Sequence, residues 1–174
     1  MTFCGELSAR PVVARLTDRA LTVAVGDDEV VAWDRGGRLY SLWSEGRTRR
    51  RGLDGRGLEK WRDAAGRHCR MLEGAAIDAL VDRAAVRAQA VAAAMAHHRL
   101  PAGTSVARRP DDGAELRTVI ARAAGFDAAA ARADARRFGT IYGELGMLPP
   151  DQYLATVVQA TEGCACNSCA FREL

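Results

Sequence analysis

Between residues 12 and 43, four short stretches alternate apolar and polar side chains: VVARLT (12–17), LTVAV (21–25), EVVAW (29–33) and RLYSLW (38–43). Short turns separate them: Asp18-Arg19, Gly26-Asp27-Asp28 and Asp34-Arg35-Gly36-Gly37. Strands joined by turns this tight predict an antiparallel meander. Leu21, Val23 and Val25 recur with period two, which gives the meander one buried face.

After the meander comes EGRTRRRGLDGRGLEKWRDAAGRHCR, rich in arginine and glycine. It reads as a surface loop followed by a short helix over Leu58 to Trp61. Arg47, Arg49, Arg50 and Arg51 can reach phosphate, but few aromatic residues interleave with them, so a solvated segment is the expectation. Of the 25 basic residues only Lys60 is lysine, and the net charge is +3. A charge this small gives no ground to expect nucleic acid as a partner. His68 beside Cys69 matches no motif.

From position 75 onward the periodicity changes to that of helices. Ile77, Leu80, Val81, Ala84, Ala88, Val91, Ala92 and Met95 share one face of a helix over 75–98, which ends before Pro101 and Gly103. Asp112 and Glu115 form the pattern of a capping box for a second helix, which carries Leu116, Val119 and Ile120 and stops near Gly125. Asp127 is placed to cap a third helix, with Ala131, Phe138, Ile141 and Leu145 on its face and Gly146 past its end. His97 and His98 at the end of the long helix complement its dipole.

No apolar run reaches the ~18–20 residues that span a bilayer, so no membrane is expected. The opening MTFCGELSARPVV lacks the basic and apolar regions of a signal peptide. A soluble, cytoplasmic protein is the expectation, and in that compartment clustered cysteines point to metal or redox chemistry rather than disulfides.

The cysteines cluster in TEGCACNSCAFREL (161–174), with the spacing Cys164-x-Cys166-x-x-Cys169. Pro149 and Pro150 exclude helix before it, and the β-branched run over 153–161 predicts a strand leading into the cysteine loop. Short-spaced thiolates can converge on one soft metal centre. Read alone, Cys166-Asn-Ser-Cys169 is half of a zinc site or a redox dithiol. A closed zinc site needs four ligands, and the sequence has no second CxxC.

The wider stretch LPPDQYLATVVQATEGCACNSCAFR resembles the opening of the catalytic barrel in a group of radical S-adenosylmethionine (radical SAM) proteins. There a strand ending in Glu-Gly leads into Cys-x4-Cys-x2-Cys. Three thiolates hold a 4Fe-4S cluster, whose open iron binds S-adenosylmethionine and splits it to a 5′-deoxyadenosyl radical. The resemblance places Glu162 and Gly163 at the lead-in, Cys164 and Cys169 at two ligand positions, Asn167 at the loop asparagine and Phe171 before the third ligand. Arg172 stands where the third cysteine would be, and Cys166 where an aromatic is usual. Arginine has no lone pair to give a metal.

What the resemblance implies is an α+β chain divided at 1–62 (β-rich), 63–148 (helical) and 149–174 (first barrel strand and incomplete cluster loop). The chain is then the truncated, amino-terminal portion of such a protein and inactive alone. The metal candidates are Cys164, Cys169 and Cys166, the substrate is unknown, and the unpaired strand over 153–161 is a self-association segment. Two other readings stand beside it: a small cysteine-based zinc, iron–sulfur or redox protein, and a non-catalytic binding module built on the meander and its arginines.

Overall fold

A computed structural model describes residues 1–97 and 112–142. Eight strands come first: β1 (Thr2–Leu7), β2 (Arg10–Leu16), β3 (Ala20–Val25), β4 (Glu29–Asp34), β5 (Leu39–Ser44), β6 (Arg47–Arg51), β7 (Gly57–Asp63) and β8 (Gly66–Leu72). Three helices follow: α1 (Ala75–His97), α2 (Asp112–Ala124) and α3 (Ala128–Gly139). Every strand pairs antiparallel with its sequence neighbour, giving one open sheet in the order β1 to β8. The chain is therefore α+β, with an antiparallel meander before its helices, as expected. Residues 153–161, expected as the first barrel strand and a self-association segment, lie outside the described residues.

The sheet is built by alternation. On β2 to β5 the inward set is Val12, Ala14, Leu16, Leu21, Val23, Val25, Val31, Trp33, Leu39 and Leu42, all buried. A register shift between Ala32 and Trp33 lets β5 present Leu39 and Leu42 to the same side. The helices cover this face. α1 buries Ile77, Leu80, Val81, Ala84, Ala88, Val91 and Met95, and α2 buries Leu116, Val119, Ile120 and Ala123. These are the helix faces that the three-and-four spacing predicts.

Three expectations need correction. The arginine stretch is not a surface loop: Glu45 and Gly46, both at positive φ, turn β5 tightly into β6. Leu58 to Trp61 is not a helix but the middle of β7, where Glu59 faces inward while Leu58 and Lys60 face the other way. The strands thus continue through Leu72, beyond position 62. The third helix ends at Gly139, and Thr140 caps it through bonds to the Arg136, Arg137 and Phe138 carbonyls. Glycine and β-branched threonine in succession disfavour further helix. Ile141 is consequently outside the helix and 64% exposed, and Phe138 stacks on Tyr142 instead. Leu145 and Gly146 lie outside the described residues.

Helix starts follow the sequence more closely. Asp127 accepts from Ala130 N at 2.8 Å, and Asp82 of α1 accepts from Ala128 N at 2.8 Å, so two of the free donors at the start of α3 are satisfied by carboxylates. Glu115, expected to close a capping box with Asp112, takes its carboxylate to Arg35 on the β4–β5 turn. No helix among the described residues is long and apolar enough to cross a membrane.

The β4–β5 turn is where α2 meets the sheet. Gly37 has φ +85°, and a Cβ there would lie 2.5 Å from Arg122 C and 2.6 Å from Ala123 N of α2. Gly46 also has positive φ (+69°), but a Cβ there would meet nothing within 4 Å. Gly46→Ala should therefore cost only backbone strain, roughly 1–2 kcal/mol, and Gly37→Ala clearly more, because a helix backbone must also shift. Chemical denaturation of the two variants checks this; equal losses would mean that α2 is not seated on the turn.

Candidate functional site

Cys164, Cys166 and Cys169 lie outside the described residues, so the structure neither groups nor separates them. Among the described residues the cysteines, Cys4 and Cys69, are free and exposed, and no three His, Cys, Asp or Glu side chains are grouped to hold a metal. His68 does not pair with its neighbour Cys69. It bonds through Nε2 to Asp63 Oδ1 at 2.8 Å and stacks on Trp61 at 5.1 Å between ring centroids. That bond holds the exposed Asp63 carboxyl below its usual pKa.

The concentration of chemistry is on the inner face of β6, β7 and β8. Register aligns Leu42, Arg49, Glu59 and Arg70 in one row across β5 to β8, and Ser44, Arg47, Trp61 and His68 in the next. The inner surface that is apolar on β2 to β5 thus becomes charged and aromatic on the last three strands. Arg47, Arg49 and Arg51, two residues apart, all turn inward, whereas Arg50 turns outward over the Tyr40 ring. Arg51 is buried against α3, where it donates to Asp134 at 2.9 Å and lies 5.0 Å from the Phe126 ring centroid.

Glu59 is the centre of the cluster and only 1% exposed. Arg49 donates from Nε to Oε1 at 2.8 Å and from its terminal nitrogen to Ser44 Oγ at 2.9 Å. Arg70 Nε lies 2.6 Å from Oε2, off the line of a well-formed hydrogen bond, and a terminal nitrogen of Arg47 lies 3.5 Å from the same oxygen. Arg47 also sits over Trp61, 4.9 Å from the ring centroid. Burial alone would raise the Glu59 carboxyl; Arg49 and then Arg70 outweigh it and hold the pKa below the ordinary carboxylate range.

A second buried carboxylate provides the contrast. Glu29 on β4 receives Arg87 Nε at 2.5 Å on one oxygen and Arg83 at 2.7 Å on the other. Both arginines are on α1, one turn apart, so this pair clamps helix to sheet. Burial would raise Glu29 too, and the hydrogen bonds from Arg87 and Arg83 reverse that. Glu29 is saturated by two guanidiniums, whereas Glu59 faces three.

No protein-family model, curated protein or solved structure matches this chain.

The chemistry of the cluster is accordingly read from its own residues. Three guanidiniums around one carboxylate are donors of the kind that suits anions. Residues 45–73 carry nine basic and five acidic side chains, whereas residues 1–44 carry five basic and six acidic. The excess positive charge of the described sheet is therefore on its last three strands. Sequence reading named Arg47, Arg49, Arg50 and Arg51 but missed Glu59, Trp61 and Arg70. The signal available was period-two alternation in charge, Arg47-x-Arg49-x-Arg51 followed by Gly57-x-Glu59-x-Trp61.

Both carboxylates link stability to pH. A depressed folded pKa adds stability that is fully present above the unfolded value, about 4.3 for Glu, and lost as pH falls through the folded value. The unfolding free energy should therefore hold at neutral pH and fall below about pH 4.3. Glu59→Gln should cost ~1.5–3 kcal/mol at pH 7, the range for hydrogen bonds to charged groups, and make the acid loss shallower. Denaturant titrations of both proteins between neutral and acid pH decide it; identical slopes would remove Glu59 from the linkage.

Proposed function

We propose that this chain is the amino-terminal portion of a radical SAM protein, an α+β accessory unit followed by a cluster loop that is incomplete as it stands. The observation that carries the reading is the ordered set Glu162-Gly163-Cys164, Asn167, Cys169 and Phe171 after a β-branched run. The described fold supports it in one respect: the described sheet and helices share one hydrophobic core, drawn from residues 3–131.

The donor set does not fit the family's cluster. Cys164 and Cys169 occupy two of the three thiolate positions, and the guanidinium of Arg172 occupies the third. A cation without a lone pair cannot ligate iron and repels it. Cys166 lies between the two matched cysteines in sequence, at a position where the pattern has an aromatic. No step of cluster chemistry is therefore assigned to this chain, and its contribution is the accessory unit.

Anaerobic reconstitution with iron and sulfide should leave the parent chain with substoichiometric, labile iron and no cleavage of S-adenosylmethionine. Arg172→Cys should raise iron and sulfide content and the charge-transfer absorbance, because it restores a thiolate where the family pattern has one. Full occupancy in the parent, abolished by Cys166→Ser, would overturn this and show that Cys164, Cys166 and Cys169 make a working metal site.

A further inference from the structure

We propose that the inner face of β6 to β8 binds a phosphate dianion between Arg47 and Arg70, above the buried carboxylate of Glu59. The first ground is unused donor capacity. At Glu29 each oxygen takes one aligned hydrogen bond, and at Asp134 the two oxygens are taken by Arg38 at 3.1 Å and Arg51 at 2.9 Å. At Glu59 only Arg49 makes an aligned bond. Arg70 approaches off line, and Arg47 is at 3.5 Å, beyond good hydrogen-bond length. Both guanidiniums therefore keep terminal N–H groups for another acceptor.

The second ground is proximity and access. The approaching nitrogens of Arg47 and Arg70 lie within 3.5 Å of the same Glu59 oxygen, close enough for one oxyanion to bridge them. The side chain of Arg70 is 62% exposed and that of Arg47 37%, so a ligand arrives from solvent without opening the fold. Arg47 is held in place by the Trp61 ring, which in turn stacks on His68, so the donor is pre-positioned.

Charge selects the ligand class. Three guanidiniums and one carboxylate leave two positive charges, which a phosphate monoester or free phosphate neutralises near pH 7. A phosphodiester backbone brings one charge per unit and needs contacts strung along a groove. Here the charge is focused at one point, and Arg51 is already committed to Asp134. A monocarboxylate would leave one positive charge unmatched. The site as described needs no metal and uses no residue of the cysteine motif.

Calorimetric titration of the full chain, free of iron, with inorganic phosphate, AMP and a 5′-hydroxyl single-stranded DNA oligonucleotide tests the proposal at physiological ionic strength. Phosphate and AMP should bind, with at least tenfold loss in Arg70→Ala, a surface variant of an edge strand. Glu59→Gln should bind them at least tenfold more tightly, because it removes the competing internal anion. AMP binding more tightly than phosphate assigns the site to a monoester, and equal affinities assign it to free phosphate. Unchanged affinity in Arg70→Ala, absence of phosphate and AMP binding, or binding of the oligonucleotide alone would overturn the proposal.

Discussion

An antiparallel sheet wider than the helices described on it has to satisfy its inner face in two different ways, and the described residues are organised around that requirement. α1 and α2 contact β1, β3 and β5, and there the inner face is filled with valine, leucine, alanine and tryptophan. Burying each valine or leucine there contributes about 1.5–3 kcal/mol. Beyond β5 the inward positions are mostly arginine, glutamate, tryptophan and histidine, with Gly57 and the buried Leu72 under Ile77 of α1 at the Arg51 end. These strands stay in the sheet because each inward charge has a counter-charge or a ring within reach.

The two modes meet at Ser44 and Glu29, which face each other across β4 and β5. Glu29 is held by arginines from the helix layer, and Ser44 accepts from Arg49 of the charged strands. Asp134 of α3 plays the same joining part at the other end, taking Arg38 and Arg51 together. Removing one partner of such a buried set costs more than the set contributes as a whole, because the remaining charge is left uncompensated. The ion pairs therefore fix which surfaces meet, while the apolar layer supplies the net stabilisation.

Legibility in the sequence divides along the same line. Leu21, Val23 and Val25 announce β3, and the Ile77-to-Met95 stripe announces α1, because apolar periodicity reports a face that must leave water. β6 to β8 have no apolar stripe. Arg47-Thr-Arg49 reads as solvated until Glu59 and Arg70 are known to share its row, and that pairing is a property of register rather than of composition. The end of α3 was hidden for another reason: Phe138, Ile141 and Leu145 keep helical spacing across Gly139-Thr140, so the pattern outlasts the helix. The cysteine motif is legible only as a family resemblance, since its residues lie outside the described ones.

The strand order also carries a kinetic consequence. Each pairing joins neighbours in the chain, so every rung of the ladder closes a loop of a few residues, and the entropy lost in closure is small. The long closures are those that bring α2 and α3 back to the sheet, such as Arg35 to Glu115 and Arg38 to Asp134, separated by 80 and 96 positions. Topologies dominated by local contacts fold faster than those that depend on distant ones. Pairing within the meander can accordingly form without waiting for the helices to dock, whereas seating α2 and α3 on the sheet has to close these longer loops.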